Sequence, residues 1–288
     1  MSEREIDEIS GVETTGHEWD GIKELNNPLP RWWLWTFYGC IAVGLVISVL
    51  YPAWPLFGSA TPGILGYSTR GDLNKDLAAA KAAQSGNLAQ LASLPVDKIA
   101  ADPTLSRFAA AGGASAFKVY CIQCHGTGAA GGVGYPNLND DDWLWGGSVE
   151  QIYATLTHGA RAPNDPDTHM NIMPNFGTDA LLKPDEIKTV AAYVASLSGL
   201  EGGANTPAGA KLFADNCAAC HGDDGKGKQD VGGPNLADKI WLYNGSLDGI
   251  VAQINHPRQG IMPAWGARLG DTTVKELAVY VHGLGGGK

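Results

Sequence analysis

Two short stretches of the chain each place two cysteines immediately before a histidine. They read VYCIQCHGTG and DNCAACHGDDGKG, and the residues are Cys121, Cys124 and His125 in the first and Cys217, Cys220 and His221 in the second. This spacing is typical of covalent c-type haem attachment, in which the thiols form thioethers with the two vinyl groups and the histidine binds the iron. The sequence therefore predicts two covalently bound haem c groups.

Two other interpretations of the cysteines must be weighed. Thioredoxin-like redox pairs also read CxxC, but they lie beside a βαβ unit, and no such pattern surrounds either motif. Two CxxC pairs could together form a four-cysteine zinc site. However, 96 residues separate Cys121 from Cys217, and a full repeat surrounds each pair. A chance CxxCH is easier to accept once than twice, so haem attachment is the favoured interpretation.

A c-type haem needs a second axial ligand, and methionine is the best candidate here. The chain has only four methionines, and Met173 and Met262 each lie in an IMP triplet, 48 and 41 residues after His125 and His221. The thioether is soft and neutral, and His/Met ligation raises the iron potential. The proline that follows restrains the ligand loop. We expect Met173 to pair with His125 and Met262 with His221, while core packing is the alternative role.

The two motifs belong to an internal repeat, which predicts two tandem domains at residues 112–200 and 205–288. The features in register are a phenylalanine four residues before the first cysteine, a PNL triplet, a tryptophan, a Gly-Ser pair, a histidine, the IMP triplet and a final helix with a tyrosine. In numbers they are Phe117 and Phe213, Trp143 and Trp241, Ser148 and Ser246, His158 and His256, and Tyr193 and Tyr280. The main insertion is APNDPDTHM at residues 162–170, which contains the unmatched Met170.

Several other side chains have a less certain role. His158 and His256 are expected to contact a haem propionate or to be structural rather than to bind iron. Arg161 and Arg258 follow them closely, and a guanidinium suits a carboxylate. Trp143 and Trp241 either line the haem pockets or pack in the cores. His17, His169 and His282 match no motif and are expected to be solvated.

An apolar segment near the N-terminus predicts a membrane anchor at residues 32–57. WWLWTFYGCIAVGLVISVL spans residues 32–50, and no charged side chain occurs from Trp32 until Arg70. About 20 residues at ~1.5 Å each cross a hydrocarbon core of about 30 Å. Tryptophan and tyrosine flank both ends, as at membrane interfaces. A cleaved signal peptide would have a basic start and a shorter apolar stretch, so an uncleaved anchor is favoured, with Cys40 as a small apolar filler.

The remaining segments complete the predicted architecture. Residues 1–31 form an acidic tail, and residues 58–111 form a linker with an Ala-rich helix. AAGGAS at residues 110–115 marks the expected start of the first repeat domain. The flanking charges slightly favour an N-terminus inside the cell. In the known c-type proteins the haem is attached outside the cytoplasmic membrane, which implies a cytoplasmic tail and periplasmic repeats.

Composition excludes some classes of function. The 288 residues predict about two domains, and five cysteines are too few for a disulfide scaffold. The net charge of −10, with no basic cluster, argues against nucleic acid as a partner. Residues 112–200 carry nine acidic and four basic side chains, against eight and eight in residues 205–288. The acidic segment is either an ordinary solvated surface or a docking surface for a basic protein.

With ELNNPLPRWW at residues 24–33 leading into one span and two CxxCH repeats after it, the chain resembles the diheme cytochrome c subunit of cbb3-type cytochrome oxidases. The resemblance implies a mostly α fold, with one transmembrane helix and two class I cytochrome c-like domains. It implies electron transfer from a donor cytochrome c to the monohaem subunit and the catalytic haem–copper subunit of a proton-pumping, oxygen-reducing complex of the bacterial inner membrane. The chain itself would be a non-catalytic subunit.

Three other functions remain open at this point. A free-standing, membrane-tethered diheme carrier would have the same motifs, but a tether needs no polar, proline-rich lead. A diheme peroxidase needs one iron with an open coordination position, and the paired methionines argue against it. A cytochrome subunit of a periplasmic dehydrogenase is a weaker alternative.

Overall fold

The computed structural model describes residues 5–285 and divides the chain into two compact units, the first ending at Ala83 and the second beginning at Gln84. The fold is mostly helical, as predicted. The first unit contains strands β1 (Thr14–Trp19) and β2 (Ile22–Leu25), helix α1 (Arg31–Leu50), and strands β3 (Pro55–Leu56) and β4 (Ser59–Ala60). Helix α2 (Thr69–Ser93) contains the junction between the units.

The acidic tail contains a β-hairpin that the sequence analysis did not predict. β1 and β2 pair antiparallel and are joined by Asp20 and Gly21. Both joining residues have positive φ, at 50° and 84°. Successive positive φ values suit the type I′ turn that connects twisted strands, and Asp-Gly is among the pairs that adopt it most readily.

Helix α1 is the one helix among the described residues that is long and apolar enough to cross a membrane. It starts after Pro30, whose fixed φ suits a helix entry, and ends at Tyr51. None of its residues is buried, and Trp32 and Trp35 are 70% and 75% exposed. Because an apolar surface of this extent is unfavourable in water, the helix needs a hydrocarbon surrounding.

The second unit consists of ten further helices. They are α3 (Val96–Ala101), α4 (Pro103–Tyr120), α5 (Ile122–His125), α6 (Val149–His158), α7 (Pro184–Leu197), α8 (Pro207–Asn216), α9 (Ala218–His221), α10 (Leu247–Asn255), α11 (Gly266–Leu269) and α12 (Asp271–His282). The serines that were in register in the two repeats, Ser148 and Ser246, are the N-caps of α6 and α10. Each side chain accepts a hydrogen bond from a backbone N–H in the first turn, which fixes where the helix begins.

The two repeats are intertwined rather than placed side by side. α12, the last helix of the second repeat, packs on α4, while α7, the last helix of the first repeat, packs on α8. Phe117 of the first repeat therefore contacts Tyr280 of the second, with ring centroids 5.4 Å apart. Tyr193 contacts Phe213 in the reciprocal manner, also at 5.4 Å. Each hydrophobic core thus contains helices from both repeats.

The glycines at 112 and 113 do not mark the boundary expected there, because α4 continues through both. They allow α12 to approach closely: a Cβ on Gly113 would overlap the backbone of Glu276 and the side chain of Tyr280. Glycine is retained in this helix, despite its low helix propensity, because the two helices touch at this point.

Part of the segment assigned to the linker belongs to the first core. Leu91 and Ile99 are fully buried in the same cluster as Phe117 and Leu277. The ammonium of Lys275 in α12 donates to the carbonyl of Leu91 at 3.1 Å. Burial of each such aliphatic side chain contributes about 1.5–3 kcal/mol, so the end of α2 and α3 help to hold α12 in place.

Candidate haem sites

Helix α4 positions the first CxxCH motif. The helix ends at Cys121, and the single turn α5 follows, held by a hydrogen bond from the His125 N–H to the Cys121 carbonyl of 2.9 Å. The motif therefore curls back so that both thiols and the imidazole belong to adjacent turns. Gly126, with a φ of 77°, ends this turn in a conformation that favours glycine.

The imidazole of His125 is prepared for iron. Its Nδ1 lies 3.0 Å from the carbonyl oxygen of Pro136, which can only accept, so Nδ1 carries the proton. Nε2 is then left with its lone pair, and a backbone bond of this kind orients a ligating histidine. Burial lowers the pKa of His125, so the neutral, ligating form predominates at neutral pH.

The second motif repeats this arrangement. Cys217 ends α8, and the His221 N–H donates to its carbonyl at 2.9 Å. The Nδ1 of His221 donates to the Pro234 carbonyl at 2.9 Å, and burial again lowers the pKa of the imidazole. Pro136 and Pro234 are the prolines of the two PNL triplets. In the sequence these triplets only align the two repeats. The structure shows in addition that their proline carbonyls accept hydrogen bonds from the two histidines.

The four cysteines of the motifs are free thiols, the form that can add to vinyl groups. Burial raises the pKa of Cys121 to about 11, with a smaller contribution from Cys124. Burial also raises the pKa of Cys217 to about 11, with Cys220 as the smaller cause. As thiols, Cys121 and Cys217 are therefore protonated at neutral pH.

A mostly apolar cavity surrounds His125. Its wall contains both thiols of the first motif together with aromatic and aliphatic side chains such as Phe117, Leu138, Trp143 and Ile152. An apolar wall with one imidazole and two thiols suits a covalently held haem ring. Met262 and Pro263 of the second repeat lie in the same wall, and no residue of the Met173 loop does.

Met262 is held at this cavity by the backbone of the first repeat. Its N–H donates to the carbonyl of Ala160 at 2.9 Å, and the Ala160 N–H donates to the Met262 carbonyl at 3.0 Å. The Trp265 N–H donates to the Leu156 carbonyl at 2.9 Å. Gly159 has no room for a Cβ, because the backbone of residues 262–264 lies against it.

Met173 packs against the other core, the one that contains Cys217, Leu236 and Trp241. Its backbone is fixed by Gln259 of the second repeat: the Met173 N–H donates to Oε1 at 2.9 Å, and Nε2 donates to the Met173 carbonyl at 3.0 Å. This placement differs from the expected pairing of Met173 with His125 and of Met262 with His221. Because each repeat sends its last helix to the other core, the IMP loop before that helix goes with it.

A buried donor supports the fit of a haem at the second motif. Trp143 donates its Nε1–H to the carbonyl of Asp140 at 3.0 Å. The matching Nε1 of Trp241 is buried and has no hydrogen-bond partner among the described residues. Since buried donors are nearly always satisfied, this N–H is available to an acceptor from a bound group, such as a haem carboxylate.

The other side chains singled out in the sequence have varied surroundings. His158 donates to Asp165 of the insertion at 3.2 Å. Arg161 lines the His125 cavity and donates from Nε to the Gly260 carbonyl at 2.6 Å. Arg258 and His256 line a separate open cavity, where the Arg258 guanidinium lies 4.4 Å from the Tyr243 ring centroid.

The prediction that His169 is solvated is wrong. Its ring is half-buried and stacks on Trp145, with centroids 4.2 Å apart and an interplanar angle of 8°. Nε2 lies 3.1 Å from the Thr155 hydroxyl. Neither Trp145 nor His169 has a counterpart of its own type in the second repeat, so comparison of the repeats gave no signal for them.

Comparisons with known proteins agree with this architecture. Residues 11–58 match the N-terminal domain of cytochrome oxidase-cbb3, FixP, and residues 108–194 and 204–281 match cytochrome c oxidase, cbb3-type, subunit III. The FixP subunit of the cbb3-type oxidase of Sinorhizobium medicae is 55% identical, over 99% of this chain and 98% of that protein.

Two further relatives agree with the first. The FixP subunit of Rhizobium etli is 55% identical over the full length of both chains. The CcoP subunit of Cereibacter sphaeroides is 52% identical, over 96% of this chain and 95% of that protein. Membership in this family gives the chain covalent haem c as its cofactor and an electron-transfer role in a membrane-anchored oxidase. The resemblance seen in the sequence is thereby confirmed: this chain belongs to the FixP/CcoP family, subunit III of cbb3-type cytochrome c oxidases.

Proposed function

We propose that this chain carries two haem c groups and passes electrons from a donor cytochrome c, through both of them, to the other subunits of the oxidase. The observation that carries the proposal is the matched setting of His125 and His221. Each has Nδ1 committed to a proline carbonyl and Nε2 free, beside two reduced thiols. A second role as an oxygen-reducing or peroxide-reducing centre is not needed to explain any described residue.

The proposed iron ligands are crossed between the repeats. His125 and Met262 are the axial pair at the first site, where Cys121 and Cys124 form the thioethers. His221 and Met173 are the axial pair at the second site, with thioethers to Cys217 and Cys220. The position of Met262 in the His125 cavity, and of Met173 against the other core, supports this assignment.

The bound haem supplies a one-electron iron couple, and the chain's residues control it. The imidazoles are held in the ligating tautomer by the two proline carbonyls. The aromatic walls of the His125 cavity keep water away, and a neutral thioether as second ligand favours the reduced iron more than a second imidazole would. With a histidine and a methionine holding each iron, the sites would transfer electrons and would not bind oxygen.

Nuclear magnetic resonance of the full chain with methyl-labelled methionine tests the crossed ligands. In the reduced protein a ligating methyl lies over the haem ring and is strongly shifted. We expect the shifted Met262 methyl to show Overhauser contacts to Phe117 and Trp143, and the Met173 methyl to Phe213 and Trp241. Contacts of the Met262 methyl to Phe213 would instead support ligands from a single repeat. Met262→Leu and Met173→Leu assign the two signals.

We also propose how the chain is arranged in the membrane. Residues 1–31 lie in the cytoplasm, the segment at 32–57 spans the inner membrane, and residues 58–288 lie in the periplasm. A protease added to spheroplasts should remove an epitope fused after residue 288 and spare one fused before residue 1. The reverse pattern would overturn this orientation and, with it, haem attachment in the periplasm.

The proposed partners are the catalytic haem–copper subunit, the monohaem cytochrome c subunit and a donor cytochrome c. Affinity purification of the complex through this chain should yield haem b and copper together with covalent haem c, with oxygen uptake driven by reduced cytochrome c. Recovery of two covalent haems without haem b, in a mild detergent that keeps other membrane complexes intact, would favour the tethered carrier.

A further inference from the structure

Trp145 lies between the two CxxCH motifs. Its half-buried indole forms part of the wall of the cavity that contains Cys121, Cys124 and His125. The six-membered ring of the same indole packs against Gly232, so closely that a Cβ on Gly232 would overlap three of its carbon atoms. Since Gly232 belongs to the loop after the second motif, the indole touches both haem sites.

The backbone next to Gly232 leads directly to a haem-attaching cysteine. A Cβ on Gly233 would overlap the carbonyl of Cys220, so these two backbones are in contact. Asn171 of the first repeat adds a second link. Its Nδ2 donates to the Val231 carbonyl at 2.5 Å and lies 3.9 Å from the Cys220 sulfur. Two glycines therefore separate the indole from the second motif.

The insertion in the first repeat holds this indole in place. His169 stacks on it in a nearly parallel arrangement, 4.2 Å between centroids. The His169 ring lies within hydrogen-bond distance of the Thr155 hydroxyl. The backbone carbonyl of His169 accepts from the Arg161 N–H at 2.8 Å. Burial lowers the pKa of His169, and the neighbouring His158 and Arg161 lower it further, so a neutral ring faces the indole.

In the second repeat, Tyr243 occupies the position that corresponds to Trp145. Tyr243 of the second repeat approaches Gly134, where an added Cβ would lie 3.2 Å from its ring. Tyr243 lines the open cavity, and the Arg258 guanidinium covers its ring. Its side chain is absent from the wall around His125. The two aromatic crossings therefore differ: Trp145 lies in the wall of the His125 cavity, whereas Tyr243 lines the open cavity beneath Arg258.

We propose that Trp145 is the bridging residue for electron transfer between the two haem sites of this chain, positioned by His169 of the insertion. The inference rests on the proposed function, in which both motifs carry haem c. One electron leaves a ferrous iron at one site, which becomes ferric, and reduces a ferric iron at the other. No bond forms or breaks, and the indole is unchanged. The indole can mediate this transfer because electronic coupling decays less steeply through closely packed atoms than across a gap.

Rapid photoreduction of the purified full-length chain tests this proposal. A flash-reduced flavin delivers one electron, and freeze-quench electron paramagnetic resonance follows the two ferric signals as the electron redistributes. Trp145→Leu should slow the redistribution several-fold, because loss of the indole opens a gap between the two sites and electronic coupling falls more steeply across a gap. Trp145→Phe, which keeps an aromatic ring, should recover part of the rate.

Three measurements separate a bridge from a merely structural residue. Trp145→Leu should still hold two covalent haems, and both reduction potentials are measured so that transfer rates are compared at the same driving force. The matched control Tyr243→Leu should leave the redistribution rate near that of the unmodified chain. His169→Ala, which loosens the indole without removing it, should slow the rate less than Trp145→Leu does.

The outcomes distinguish the two proposals. If the unmodified chain holds fewer than two haems, the proposed function fails. If it holds two and the rate is the same in Trp145→Leu, only the bridge is overturned. A larger loss in Tyr243→Leu than in Trp145→Leu would also overturn it and place the path at the other crossing.

Discussion

Met262 and Ala160 exchange both of their backbone hydrogen bonds, at 2.9 and 3.0 Å, although they belong to different repeats. This short antiparallel pairing fixes the methionine loop of one repeat at the histidine of the other. The first haem site thus depends on a contact between distant parts of the sequence.

Replacement of each methionine should affect the site of the other repeat. Met262→Ala should lower the potential of the haem at His125 and open that iron to carbon monoxide, because the thioether that favours the reduced state is lost. Met173→Ala should do the same at His221. Redox titration and carbon monoxide difference spectra measure both effects, and Met170→Ala, at an exposed position, is the control. Equal changes in all three variants would contradict the assignment.

Core truncations should separate the two packing units. Leu277→Ala in α12, at a fully buried position, should cost about 2–5 kcal/mol and loosen the His125 site first. Ile187→Ala in α7, which is 1% exposed, should cost about as much and act first at His221. Denaturant titrations followed at the two haem signals report the order. If Leu277→Ala instead loosened the His221 site, each repeat would be folding by itself.

Asp142 in the wall of the His125 cavity should make the potential of that site depend on pH. Burial, with Asp238 and Asp140 nearby, raises the pKa of Asp142 from 3.8 to about 6. Because its folded-state pKa is raised, stability is full below pH 3.8 and falls as the pH rises through about 6. Ionisation over that window also favours ferric iron, so the potential should fall.

Asp142→Asn should remove the pH dependence of both the stability and the reduction potential. We expect the variant to be more stable at pH 7 by about 1–3 kcal/mol, less if solvent screens the carboxylate. Spectroelectrochemical titrations between pH 4 and 8 should be flatter than those of the unmodified chain. Asp141→Asn, whose side chain is exposed, is the matched control. A potential that falls equally in both variants would assign the titration to another group.

The acidic segment should steer a basic donor. Exchange of the exposed Asp141 and Glu150 for lysine should slow electron entry from a basic cytochrome c at low ionic strength. Exposed charges guide encounter over about one Debye length, ~10 Å at 0.1 M salt. At high salt the difference should vanish. Stopped-flow reduction over a series of salt concentrations measures this. A rate independent of salt in the unmodified chain would exclude docking through these charges.

Local patterns predicted much of the chain. The apolar run predicted α1 to within a residue at its start, and the CxxCH spacing predicted the thiols and imidazole that share the first cavity. The exchange of α7 and α12 could not be predicted, because both repeats carry the same pattern and nothing local distinguishes one copy's partner from the other's. Trp145 and His169 were missed for the opposite reason, as each occurs in one repeat only. The hairpin at β1 and β2 rests on an Asp-Gly turn that the acidic composition obscured.

The order in which the chain emerges gives the intertwined fold a further consequence. α12 follows the first CxxCH motif only after α6 to α11, yet it completes the core around Phe117 and Cys121. During synthesis the first CxxCH motif therefore stays open until α12 of the second repeat has been made. An open motif is accessible to the enzymes that attach haem. Closure of the first pocket by α12 makes the first CxxCH motif the later of the two to be covered, because the core at the second motif is already complete with α10.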